Sequence, residues 1–281
     1  MDVNEERDTV GERELNSSSL PGSAFRVMSF NIRIPVASDN IDQWKYRKEE
    51  VGRILASRAP ALAGLQEVYL EQANDLERML PEYDWYGPPR EGGEKTGERG
   101  PIFHRTDIFE CLDRGEFWLS ETPEERGSKN WLAALPRVAT WGKFRHISAG
   151  FEVLFINTHF DHWSWIARNR SAWLVIKRAR RMADGAHVIV TGDLNSKEGS
   201  KTHRILDSEY NDARLVSERS PAGPEGTYRG FSLTSRVRGR IDYIFASKGL
   251  RVLDYEVIAD TYGGGRRPSD HMPVTAAVMP L

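Results

Sequence analysis

The sequence predicts an α/β chain in which sheets pack face to face with helices on their outer faces. Three observations carry this. Short apolar runs of strand length outnumber the helical stretches, and the helical stretches fall between them. Several of the apolar runs also end in a polar residue. Strand ends are where such a scaffold can point side chains from distant parts of the chain at one place.

The elements follow in order. Residues 25–34 (FRVMSFNIRI) alternate as a strand that ends at Asn31 or just past it. Asp39 or Asn40 can cap a helix over 41–58, with Trp44, Val51, Ile54 and Leu55 turned inward. Residues 60–68 (PALAGLQEV) form a short apolar strand finishing at Glu67, and a helix near 70–80 is stopped by Pro81. Residues 91–100 (EGGEKTGERG) have the composition of a mobile loop. Strands are expected at 102–105, 111–112 and 116–119, and a hairpin joins 139–147 to 151–158 around 148–150. Residues 166–182 make a helix with Arg168, Arg170, Lys177, Arg178, Arg180 and Arg181 opposed by Ala172, Val175, Ile176 and Ala179. A fully buried strand at 187–191 runs into Gly192-Asp193-Leu194-Asn195, and strands at 240–246, 251–258 and 273–278 complete the set. No repeat or interdomain linker interrupts this, so one domain is expected over 24–281, after a polar, disordered leader at 1–23.

Composition narrows the function. The 281 residues are 39% hydrophobic and 28% charged, which suits a soluble protein with a true core. The net charge of −2 argues against a surface coated for nucleic acid, while leaving room for a local basic patch. The single cysteine, Cys111, excludes an intramolecular disulfide and a cysteine zinc cluster. No apolar run approaches membrane-spanning length and the N-terminus lacks the apolar core of a secretion signal, so the expectation is cytoplasmic residence without membrane insertion.

The strand-end residues have a chemistry in common. A phosphoester resists hydrolysis because its anionic oxygens repel a nucleophile, so catalysis needs a cation on the phosphoryl oxygen, a base for water and charge stabilisation. Asn31, Glu67 and Asp270 are oxygen donors of the kind hard Mg²⁺ or Mn²⁺ takes. Asp193 can orient and deprotonate water, with Asn195 donating to the phosphoryl group. His159 and His271 can stabilise developing charge or protonate the leaving oxygen, and Asp242 and Glu98 are available as their carboxylate partners.

These motifs together resemble the endonuclease/exonuclease/phosphatase superfamily of deoxyribonuclease-I-like metal-dependent hydrolases. The matching segments are MSFNIR at 28–33, GLQEV at 64–68, NTHFDH at 157–162, GDLN at 192–195, RIDYIF at 240–245 and SDHMPV at 269–274. The resemblance implies a four-layer sandwich, two central mixed sheets flanked by helices, with the site at the sheets' edge. It implies Glu67 as main metal ligand beside Asn31 and Asp270, Asp193 as base, Asn195 on the phosphoryl group, and His159 and His271 as catalytic histidines. By the same resemblance Asp242 orients His271, Glu98 supports His159, Asp161 is a supporting residue and Arg137 contacts phosphate. The reaction implied is in-line attack of water on a phosphodiester or phosphomonoester.

The rivals are a nuclease and a non-catalytic phosphate-binding scaffold. A nuclease needs basic side chains along a backbone. Its candidates are Arg137, the basic face of 168–181, the run from Arg236 through Arg238 to Arg240, and Arg266-Arg267. A scaffold is expected to have lost a charged catalytic position, and none is missing. The segment from Asp193 to Gly199 fails as a calcium loop because Lys197 stands at a ligand position. Trp163 and Trp165 have two readings, stacking on a base or sugar at the mouth of the site and packing as core under the following helix, and core packing is the leading expectation.

Overall fold

The computed structural model describes residue 20 and residues 22–93, 96–231 and 237–281. Most of the expected leader, Glu94 and Lys95 of the 91–100 loop, and Arg236 lie outside the described residues.

Two six-stranded mixed sheets form the centre. The first contains β1 (Phe25–Asn31), β2 (Leu62–Gln66), β3 (Tyr83–Tyr86), β4 (Ile102–Arg105), β11 (Leu250–Val257) and β12 (Val274–Pro280), in the order β11-β12-β1-β2-β4-β3. The second contains β5 (Phe109–Trp118), β6 (Val138–His146), β7 (Glu152–His159), β8 (His187–Asp193), β9 (Asn211–Asp212) and β10 (Asp242–Ala246), in the order β5-β6-β7-β8-β10-β9. Each sheet has one parallel pair, β1 with β2 and β7 with β8. Parallel neighbours need a crossover, usually a helix. Here α1 (Trp44–Arg58) makes the first crossover and α3 (Trp165–Met182) the second. The helices α2 (Leu70–Met79), α4 (Lys201–Asp207) and α5 (Ala213–Val216) complete the set.

Side-chain alternation along the strands divides the core into three seams. Val27, Leu62, Phe155, Ile189, Ile244 and Val274 fill the space between the sheets. Met28, Phe30 and Leu65 point the other way, onto Val51, Ile54 and Leu55 of α1 and Leu76 of α2. Leu154, Ile156 and Val190 pack on Ala172, Val175 and Ile176 of α3 and Leu206 of α4. The order is therefore helices, sheet, sheet, helices. Near the site the two sheets approach closely. A side-chain carbon on Gly64 would sit 2.3 Å from Thr191 Oγ1 and 2.4 Å from Asn157 Oδ1, so only glycine fits.

Local expectations differ in places. The first helix starts at Trp44, because residues 37–42 form a 3-10 turn in which Asn40 is non-helical and no side chain caps α1. Asp39, expected as a cap, pairs with Arg33. The runs at 111–112 and 116–119 belong to one strand, β5, broken in register only by an irregularity between Cys111 and Asp113. The strands β3 and β9 and the helices α4 and α5 had no clear periodic signal because each is short. Trp163 and Trp165 are not core; both are exposed at the start of α3, since its buried face begins at Ala167.

Candidate active site

The site is built from strand ends. Asn31 pairs with Gln66 where parallel β1 and β2 finish together, which brings Glu67 alongside. His159 pairs with Asp193 where parallel β7 and β8 finish. Antiparallel β10 starts at that point, with Asp242 opposite Asp193. Antiparallel β12 starts beside the end of β1, and Ser269 Oγ donates to Asn31 O at 2.7 Å, fixing the segment that carries Asp270 and His271. The four ends converge because both parallel pairs point at the same edge of the sandwich.

Asn31 bridges the two sheets. Its Nδ2 donates to Glu67 Oε1 and to Asp193 Oδ2, each at 3.2 Å, while its Oδ1 accepts from Arg33 N at 3.0 Å. Asp193 Oδ1 accepts from the backbone of Asn195 at 2.8 Å, a contact made possible by the left-handed φ of 47° at Asn195. Asn195 Nδ2 donates to Phe160 O at 3.0 Å and lies 3.1 Å from His159 Nε2. Glu67 also has positive φ, 60°, which ends β2 sharply and turns its carboxylate onto Ile34 N at 3.2 Å.

Both histidines approach Asp193 Oδ2 through Nε2, His159 at 3.5 Å and His271 at 3.8 Å. Their titration differs. Burial and the nearby Arg137 cation push His159 down to about 3, so it is neutral at pH 7. Burial would lower His271 as well, but the Asp242 carboxylate, 3.0 Å from Nδ1, outweighs it and holds the ring well above the ordinary histidine range. Burial and the Asp242 charge raise the Asp193 carboxyl.

Beyond His159 lies a small cleft lined by Arg90, Glu98, Arg99, Gly100, Arg137, Val138 and His159. Glu98 Oε1 is 2.6 Å from Arg90 Nη1, 3.3 Å from His159 Nδ1 and 3.6 Å from Arg137 Nη1. Arg137 is 4% exposed, and its Nη2 lies 3.1 Å from His162 Nδ1. Asp161 stands apart from this group. Its Oδ1 accepts from Trp163 N and Ser164 N, and its Oδ2 from Ala134 N, so it organises the loops leading into α3.

Arg47, which the sequence reading passed over, is fully buried in α1. Its guanidinium donates to the carbonyls of Ile32, Arg33 (2.8 Å), Asp42 (2.8 Å) and Pro268 (3.1 Å). It thereby ties the exit of β1 to the segment before Asp270. A signal existed: Arg47 sits at helical spacing between Trp44 and Val51, on the apolar stripe.

The oxygen donors at the strand ends form a set that can hold a cation. Burial and the Glu67 charge raise the Asp270 carboxyl against the opposing charges of His271, Arg33 and Arg47; burial would raise Glu67 too, but the neighbouring histidines and the bond from Asn31 outweigh it and hold Glu67 below the ordinary carboxylate range. As oriented, Asn31 shows its amide nitrogen to Glu67, so ligation through Oδ1 requires the amide to turn over. Asp193, Asp242 and His271 also offer ligand atoms within 4.8 Å of one another. In that trio, however, His271 Nδ1 and the Asp242 carboxylate already hold each other. Glu67 with Asp270 therefore fits a hard cation better.

Comparison with known proteins adds to the geometry. A model of the Endonuclease/Exonuclease/phosphatase family matches residues 28–271. An endonuclease/exonuclease/phosphatase family protein of Bacteroides thetaiotaomicron is 34% identical, with a TM-score of 0.87 over 92% of this chain and 99% of that one. A mannosyl-6-phosphatase of the same organism is 35% identical, with a TM-score of 0.86 over 91% and 99%. A Bacteroides vulgatus endonuclease/exonuclease/phosphatase is 32% identical, with a TM-score of 0.87 over 92% and 100%. No curated protein matches the chain by sequence. The four-layer, deoxyribonuclease-I-like sandwich expected from the motifs is the architecture observed.

Proposed function

Since the chain belongs to the endonuclease/exonuclease/phosphatase family and is a hydrolase of phosphoester bonds, we propose that its substrate is a small phosphate monoester, a sugar phosphate. One observation carries the choice. Arg137 is almost fully buried beside His159; its Nε and Nη1 have no hydrogen-bond partner, and the Glu98 carboxylate, 3.6 Å from Nη1, is already held by Arg90 at 2.6 Å. A buried guanidinium left this way is costly unless an anion completes it. A recess around such a group suits a terminal phosphoryl, whereas an internal diester must continue out of the site on both sides. Similarity to the mannosyl-6-phosphatase supports the same class.

Several of the basic residues a nuclease would use are engaged with the protein. Arg178 pairs with Glu124, Arg180 with Glu209, Arg240 with Asp212 and Glu198, and Arg266 with Asp42. Among the described residues, no helix is long and apolar enough to cross a membrane. The proposed catalytic unit is a single domain over residues 24–281.

The family is divalent-metal dependent in general, and we assign Mg²⁺ or Mn²⁺, held by Glu67 and Asp270 with Asn31 beside them. When bound, the cation supplies charge neutralisation at a phosphoryl oxygen. The chain's own groups do the rest. Asp193, its carboxyl raised, takes the proton of the attacking water and is steadied by Asn195 N and Asn31 Nδ2. Asn195 and Arg137 orient the phosphoryl oxygens. His271, kept protonated by Asp242, stabilises the negative charge that develops, while neutral His159 serves as a hydrogen-bond partner.

The test is Mg²⁺-dependent phosphate release from a hexose 6-phosphate, run beside single-stranded DNA and RNA, with Asp193→Ala as control. Release from the sugar ester that vanishes in the variant is expected. Cleavage of the polymers alone, falling steeply with added salt, would replace this reading with a nuclease.

A further inference from the structure

We infer that the exposed tryptophans beside the Arg137 cleft form a platform for a neutral hexose ring in the leaving group of the substrate. The inference rests on the sugar-phosphate reading of the site. Trp163 is 78% exposed, Trp165 62% and Leu132 77%. Scattered exposed apolar residues are ordinary; these belong to two loops stitched into one rim. Asp161 accepts from Trp163 N at 3.0 Å on one loop and from Ala134 N at 2.9 Å on the other. Ser164 Oγ donates to Trp131 O at 2.8 Å, joining the loops a second time. The Trp131 indole is itself set in place, donating through Nε1 to Glu121 at 3.0 Å.

The rim is continuous with the cleft. His162, next to Trp163, lies 3.1 Å from the Arg137 guanidinium. The rim thus borders the Arg137 guanidinium, within reach of the body of a molecule whose phosphoryl group binds there. Indole faces present a flat apolar surface that suits the C–H face of a pyranose, with a polar edge for its hydroxyls. Polar groups for the hydroxyls of a sugar stand beside the indoles, with Lys129 donating to Ala134 O at 3.3 Å and Glu121 accepting from Trp131. The Glu121 carboxylate, set against Trp131, can accept from sugar hydroxyls, and Lys129 can donate to them.

The experiment compares kcat/KM on a hexose 6-phosphate with that on glycerol 3-phosphate, which has no ring. The proteins are the wild type, Trp163→Ala, Trp165→Ala and Trp173→Ala. Trp173 is exposed on the same helix about 12 Å further along, and so controls for general surface effects. The hexose-over-glycerol ratio is expected to fall about tenfold or more in the first two variants, through KM, and to hold in the third. A ratio that is unchanged in the first two, or falls equally in all three, overturns the platform. Failure of the underlying reading looks different: the wild type would turn over neither ester. The platform is then read directly from the indole N–H resonances during titration with neutral methyl hexosides. Shifts at Trp163 and Trp165 uphold it. No shift, or shifts produced only by a short oligonucleotide, refutes it.

Discussion

Two histidines face Asp193 from opposite sheets, and they end in opposite charge states. His271, ahead of β12, has both oxygens of Asp242 within 3.2 Å of its Nδ1. His159, at the end of β7, has Glu98 at 3.3 Å, but that carboxylate is already 2.6 Å from Arg90 and has Arg137 close by. The difference is one of sharing. A carboxylate holds a buried imidazolium only when its charge is not already neutralised by a guanidinium. Where it is neutralised, burial wins and the ring stays neutral.

The sharpest test starts at the aspartate both rings approach. Asp193→Ala is expected to lower kcat by about 10³-fold or more, because it removes the base and the anchor of both Nε2 contacts. Activity within tenfold of wild type, measured as metal-dependent phosphate release, would deny Asp193 that role.

Asp212, outside the histidine pair, shows the shared case at its extreme. It receives two bonds from Arg240, at 2.6 and 2.8 Å, and lies 2.8 Å from His203 Nε2. Burial would raise its carboxyl, but the bonds to His203 and Arg240 outweigh this and hold it below the ordinary range. Its stabilisation is therefore present above the unfolded pKa near ~4 and is lost as pH falls through the lower folded value. Removing it in Asp212→Ala is expected to cost about 3 kcal/mol at pH 7. Denaturant titrations at pH 7 and below 4 check both parts, since the gap between variant and wild type should shrink in acid.

The comparison itself is tested by neutralising each partner carboxylate. Asp242→Asn is expected to lower kcat by about 10²-fold, and Glu98→Gln by less than about tenfold. Equal losses would mean that sharing with Arg90 does not matter. A modest effect is expected at Arg137. Its replacement by lysine keeps the charge but loses the planar fork, for a fall in kcat/KM of about tenfold. An unchanged value would remove Arg137 from the phosphate-binding group.

Much of this was legible before the structure. Strands such as β1, β2, β7 and β8 announce themselves by apolar alternation or by unbroken buried runs, and each carries its polar residue at or just past its end. Short elements such as β9 and α5 carried too few residues to show a period. The tryptophans misled for another reason. Trp163 and Trp165 precede a true amphipathic helix, and composition does not say on which side of the first turn the buried face begins.

Residue type and order along the chain determined the layered α/β fold, the set of strand-end groups and the phosphoester chemistry, because these depend on local pattern and on which side chains can serve as oxygen donors and bases. Only the tertiary structure decided the charge state of each histidine, the burial of Arg137 and of Arg47, the engagement of Arg240 with Asp212, and the exposure of the tryptophan rim. Those depend on distances between groups far apart in the chain. Electrostatic and desolvation energies change steeply over the few ångströms that packing alone sets.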